Sequence, residues 1–164
     1  MRRRARGNAV LETALFIPVL LLLIVGIVQL GKVTYTYYTI KKILYAAARD
    51  LAVQQGINFC DPAEDPTAQA AMNFALNDPA SGQPIIANLT ALQVTTECTD
   101  PNNPGGAMVP CDTSNCGGLT VAARPDFLQV SIPSGYPIEV RLPFLNPIPI
   151  TFNPTVTVPF EGVS

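Results

Sequence analysis

The stretch Arg2–Lys32, RRRARGNAVLETALFIPVLLLLIVGIVQLGK, decides the reading of this chain. Arg2, Arg3, Arg4 and Arg6 precede Gly7, Glu12 follows five residues after that glycine, and no residue from Thr13 to Gly31 carries a charge. At ~1.5 Å per residue, a helix of that length crosses a hydrocarbon core of ~30 Å. In lipid the backbone must satisfy its own hydrogen bonds, so the run is expected to be helical. The arginine cluster resists translocation and holds the N-terminus in the cytoplasm, which puts everything after Gly31 outside.

Glu12 separates an ordinary anchor from a special one. A carboxylate costs ~3 kcal/mol at the middle of a membrane helix and less at its edge, so one placed here needs a partner. If the chain were cut after Gly7, the new amine of Asn8 would lie four residues before Glu12. The pattern G|NAVLE then resembles the type IV prepilin signature: a basic leader, a glycine before the cut and a glutamate at the fifth mature position. In such proteins the glutamate neutralises the terminal amine of a neighbouring subunit during assembly. Gly7 offers the unhindered backbone that a peptidase working in an extended conformation requires. A plain signal anchor needs neither Gly7 nor Glu12. A secretory signal peptide fits worse, because its apolar core spans ~7–15 residues and ends in a small-x-small cut site.

The longer stretch RGNAVLETALFIPVLLLLIVGIVQLGKVTYTYYTIKKILYAAARDLAVQQG resembles the TadE-like family, pseudopilins of the tight-adherence (Flp pilus) system. The residues that carry the likeness are Arg6-Gly7, Val10, Glu12, Ala14-Leu15, Pro18, the leucine run, Gly26-Ile27, Gly31 and the later AAARDLA. Near the other end, IEVRLPFLNPIPITFNPTVTVPFE reads like that family's closing strands around a proline-rich link. Thr13 departs from the pattern, since the family often has an aromatic there. The resemblance implies cleavage between Gly7 and Asn8 by a prepilin peptidase, an assembly role for Glu12, and partners among other pilin-like subunits and pilus assembly proteins. It implies residence in the bacterial inner membrane, with one pass, a cytoplasmic N-terminus and a periplasmic domain. It implies no enzymatic activity and no small-molecule substrate.

The 164 residues leave room for one domain besides the anchor. The net charge of −2 hides an asymmetry, because four of the ten basic residues lie before Gly7 and the remainder carries six Lys and Arg against twelve Asp and Glu. The exported part is therefore acidic and offers no basic patch for nucleic acid. With no histidine in the chain, His-based catalysis and most zinc sites are excluded. No cofactor and no metal are expected.

Beyond the span the helix is expected to continue to about Gln55, with Gly56 as its C′ residue. Lys32, Tyr35, Tyr37 and Tyr38 mark the outer membrane interface, where tyrosines and snorkelling lysines sit at headgroup level. Ile40, Ile43, Leu44, Ala47 and Leu51 keep helical spacing. Pro18 removes one helical hydrogen bond and is a site for a kink. A second helix is expected at 67–77, capped by Asp65-Pro66, with Ala68, Ala71, Met72, Ala75 and Leu76 on its apolar side. Alternating apolar residues at 92–95, 128–132, 138–144 and 156–160 predict strands of a half-buried antiparallel sheet. Pro133-Ser134-Gly135 marks a turn between the second and third, and the proline-rich link 143–154 reads as an extended loop along an edge.

The expected fold is α+β and pilin-like: a long transmembrane and stalk helix, then a small exported domain with a short helix on an antiparallel sheet. In residues this gives a leader at 1–7, a transmembrane helix at 8–31, its exported continuation at 32–55 and the domain at 56–164. Cys60, Cys98, Cys111 and Cys116 all fall on the exported side. An even count in an oxidising compartment favours two disulfides over a metal site, with three possible pairings. The preferred one is Cys111–Cys116 locally and Cys60–Cys98 across the domain. Asp61, Glu64, Asp65, Asp100 and Asp112 lack the spacing of an EF-hand loop and read as solvated loop carboxylates. Ser114 and Ser134 have no base near them in sequence. The alternative to a pseudopilin is an unprocessed bitopic envelope scaffold with an exported interaction domain.

Overall fold

The computed structural model describes residues 3–54, 57, 63–98, 109–110, 126–143 and 145–160; for residues 3–11, 98 and 109–110 the backbone alone is described. Two helices, α1 (Arg3–Val53) and α2 (Pro66–Leu76), are followed by β1 (Gln93–Cys98), β2 (Val109–Pro110), β3 (Phe127–Ser131), β4 (Tyr136–Val140), β5 (Ile148–Phe152) and β6 (Thr155–Pro159). The fold is α+β, as the sequence predicts. The chain divides into two compact units, one of Met1–Thr36 with Pro137–Thr151, the other of Tyr37–Tyr136 with Phe152–Ser164.

Helix α1 runs unbroken through Pro18. It starts at Arg3, before the expected start at Asn8, so the Gly7–Asn8 peptide bond lies inside it. One glycine costs a helix only ~1 kcal/mol relative to alanine, too little to stop it among good helix formers. It ends at Val53, and Gly56 lies outside the described residues.

In the second unit, the later half of α1 contributes an apolar stripe of Ile40, Ile43, Leu44, Ala47, Ala48, Leu51 and Ala52, all buried. Their spacing of three and four residues puts them on one helix face. They join a single core cluster with Ala68, Ala71, Met72 and Leu76 of α2, and with Val94, Leu128 and Val130 of the sheet.

Helix α2 lies one residue earlier than the expected 67–77. The Asp65 carboxylate accepts the Thr67 N–H at 2.8 Å and the Ala68 N–H at 3.1 Å. Two otherwise unpaired donors of the first turn are thereby satisfied, and Pro66 follows in the first helical position, where its missing N–H is no loss. The chain then turns at Asp78. There the carboxylate accepts the Ser81 hydroxyl at 2.7 Å and the Ala80 N–H at 3.2 Å.

The main sheet has the order β2-β1-β3-β6. β1 and β3 are antiparallel, as are β3 and β6. Two rows cross the three strands on the core side: Val94, Val130 and Val156, and Thr96, Leu128 and Val158. Leu128 and Val130 are fully buried, so the period-two pattern of that strand faces the core as expected.

The predicted turn forms, with Gly135 at φ +69° donating its N–H to the Ile132 carbonyl at 3.1 Å. That positive φ suits a residue without Cβ. Two expectations need correction. The third alternating run does not join the main sheet; β4 ends at Val140 and pairs with β5 in a separate two-stranded ribbon. The proline-rich link is not all loop either, since Ile148–Phe152 is a strand. A two-stranded ribbon has only edge strands, and an edge tolerates Pro149 because the lost N–H need not complete a central ladder.

The Tyr136 hydroxyl, at the start of β4, donates to the Ala87 carbonyl at 2.7 Å. Partial burial raises the pKa of this phenol above the usual 10.0.

Candidate membrane anchor and assembly face

From Leu15 to Leu30, thirteen of sixteen residues are Leu, Ile, Val or Phe, and the other three are Pro18, Gly26 and Gln29. Among the described residues, α1 is the one helix long and apolar enough to cross a membrane; its most apolar window has a mean hydropathy of 2.6 and no part of it is buried. Such side chains each contribute about −0.3 to −0.6 kcal/mol to insertion at a helix centre. Their exposure, with Leu22 at 51% and Leu30 at 68%, leaves a large apolar surface that protein does not cover. A membrane anchor accounts for that surface; a soluble core helix would be buried.

Polar groups at the C-terminal end of the run are handled within the helix. The Thr34 hydroxyl donates to the Leu30 carbonyl and the Thr36 hydroxyl to the Lys32 carbonyl, both at 2.9 Å. Bonding back to the preceding turn satisfies these donors without water. Lys32 is exposed, as are Tyr35 and Tyr38.

Tyr37 differs from its neighbours. Its ring lies 5.6 Å from that of Phe152, tilted by 55°. The Lys41 ammonium lies 6.0 Å from the Tyr37 ring centroid and donates to the Thr155 carbonyl at 3.2 Å. The sequence placed Tyr37 in a headgroup belt with Tyr35 and Tyr38. In the structure it has a protein partner, one that lies more than a hundred residues away along the chain and that sequence spacing could not announce.

Glu12 is exposed on α1 at the N-terminal edge of the apolar run. Gly7 and Asn8 have helical backbone. The structure therefore puts Gly7, Asn8 and Glu12 on one continuous helix, with residues 8 and 12 one turn apart.

The disulfide expectations concern Cys60, Cys111 and Cys116, which lie outside the described residues, and the side chain of Cys98, which does too. The Cys98 backbone ends β1 opposite Val109. Asp61, Asp100, Asp112 and Ser114 also lie outside the described residues. Glu64 and Ser134 are exposed, and Asp65 caps α2. Among the described residues no cluster of His, Cys, Asp or Glu forms a metal site.

Sequence reasoning missed two features. One is a groove of about 450 Å³ between α1 and α2, in which Tyr45, Arg49 and Val53 face Ala71, Phe74 and Ala75. The other is the β4–β5 ribbon, whose Ile148 and Ile150 are exposed. The prolines at 147 and 149 hid this strand from a reading by pattern.

Residues 7–49 match the family model described as TadE-like protein. This is the family that the sequence resembles, and the matched segment begins at the glycine of the expected cut site and stays within α1. The match associates the chain with a membrane component of the tight-adherence pilus system. No curated protein and no solved structure matches the chain.

Proposed function

We propose that this chain is a membrane-anchored, non-enzymatic pseudopilin of a bacterial tight-adherence pilus assembly and secretion system. The observation that carries the reading is the coincidence of the matched residues 7–49 with a helix whose apolar run holds no buried residue. The arginines before Gly7 hold the N-terminus in the cytoplasm, α1 crosses the inner membrane, and the remainder lies in the periplasm. A prepilin peptidase cuts between Gly7 and Asn8. Glu12 then meets the amine of Asn8 in an adjacent subunit, since a carboxylate at the membrane edge is best offset by an opposite charge.

The unprocessed scaffold remains a second reading, favoured by one observation. The Gly7–Asn8 bond lies within helical backbone, whereas a peptidase that binds an extended chain needs that turn unwound.

The test is the Glu12→Gln variant, which keeps the shape and removes the charge. It should still insert and still be cleaved, but co-purify or crosslink less with other pilin-like subunits than wild type does. Undiminished association would contradict the assembly role. Loss of cleavage would move the role of Glu12 to the peptidase step.

A further inference from the structure

The β4–β5 ribbon has an unusual surface. Every residue from Ile148 to Thr151 is exposed, and Ile148 and Ile150, two apart on one strand, share a face. Leu145, in the link before β5, is 61% exposed. A two-stranded ribbon is marginal by itself and needs a surface to rest on.

Three observations point to lipid as that surface. First, Pro137–Thr151 belongs to the same compact unit as Met1–Thr36, the part of the chain that holds the exposed apolar run. Second, no charge lies between Arg141 and Glu161, and the one charge of the ribbon, Glu139 of β4, is paired with Arg141 just past that strand at 2.8 Å. Third, Pro143, Pro147 and Pro149 carry no backbone N–H, so this edge has fewer donors to strip of water on entering an apolar layer.

We propose that the face of Ile148 and Ile150, together with Leu145 in the link before it, docks into the boundary between headgroups and acyl chains, on the exported side of the bilayer that α1 crosses. Shallow burial of a few apolar side chains is the depth expected of interfacial elements. The ribbon is then a second, shallow membrane contact beside the span. This inference rests on the membrane-anchor reading of α1.

The chain contains no tryptophan, so a single introduced indole reports one position. The full-length chain carrying Ile148→Trp or Ile150→Trp is reconstituted into phosphatidylcholine–phosphatidylglycerol vesicles with or without brominated acyl chains. Leu22→Trp, within the apolar run, is the deep reference, and Phe74→Trp, on α2, is the aqueous one. The expected result is quenching by bromolipid at both ribbon positions about twofold or more above Phe74→Trp and below Leu22→Trp. Ribbon indoles that behave like Phe74→Trp, open to aqueous acrylamide and insensitive to bromolipid, would overturn the proposal while leaving the anchor intact. Indoles shielded from acrylamide yet insensitive to bromolipid would overturn it in favour of a protein cover. Failure of bromolipid to quench Leu22→Trp would overturn the anchor reading and this inference together.

Discussion

The ring of Phe152, the last residue of β5, lies 5.6 Å from the ring of Tyr37 on α1, tilted by 55°. Aromatic pairs in this arrangement contribute ~0.5–1.5 kcal/mol beyond the area they bury. The contact ties the end of the β5 strand to the helix at the point where its apolar stripe toward the core begins. A double-mutant cycle of Tyr37→Ala and Phe152→Ala should give a coupling of about 1 kcal/mol in denaturant unfolding of the detergent-solubilised protein. Additive effects would mean that the rings do not interact.

The Asp65 cap sets where α2 begins. Asp65→Ala removes the acceptor of two first-turn N–H groups and should destabilise the domain by about 1 kcal/mol. Leu128→Ala, at a fully buried position of the sheet, should cost more, about 2–5 kcal/mol, because it leaves a cavity. Unfolding midpoints measured side by side check the order of the two effects.

The Asp78 carboxyl titrates below its usual value of 3.8, held down first by the Ser81 hydroxyl and then by the Ala80 N–H, against a smaller upward push from desolvation. A depressed pKa in the folded state favours the charged form. The stabilisation it gives is present above the unfolded-state value and is lost as pH falls through the folded one. Carboxyl NMR titration should place the midpoint below 3.8, and Ser81→Ala should move it upward. An unchanged midpoint in Ser81→Ala would contradict the assignment of the hydroxyl as the main cause.

Local signals were legible where one physical rule decides the outcome. The long apolar run from Leu15 to Leu30 read as a helix, Asp65-Pro66 before an apolar periodic stretch read as a helix start, and the alternation around Leu128 and Val130 fixed which side of that strand faces the core. Partner choice was not legible. Ile138 and Val140 alternate as well as Leu128 and Val130 do, yet β4 leaves the main sheet to pair with β5, because alternation specifies a face and not a neighbour. The strand at Ile148–Phe152 was hidden by its prolines, which argue against a central strand but not against an edge. At the site, Gly7 and Glu12 stand out by their place between the arginine cluster and the apolar run and by their resemblance to a prepilin signature, not by spacing alone. The contact of Tyr37 with Phe152 was not legible, since Phe152 meets it only through the fold.

All four cysteines follow the apolar run, and export of that part of the chain, as proposed, predicts two disulfides. The intact mass of the native, non-reduced protein should be lower by four hydrogens than that of the reduced form. Reduction should cost the domain about 2–5 kcal/mol per bridge. Four thiols that alkylate freely in the folded protein would contradict this.

The most direct test of the central claim is the N-terminal sequence of the native protein, taken from membranes of cells with an active prepilin peptidase. A processed pseudopilin starts at Asn8 and reads NAVLE. A native chain that still begins at Met1 in such cells would contradict the pseudopilin reading and leave the unprocessed scaffold.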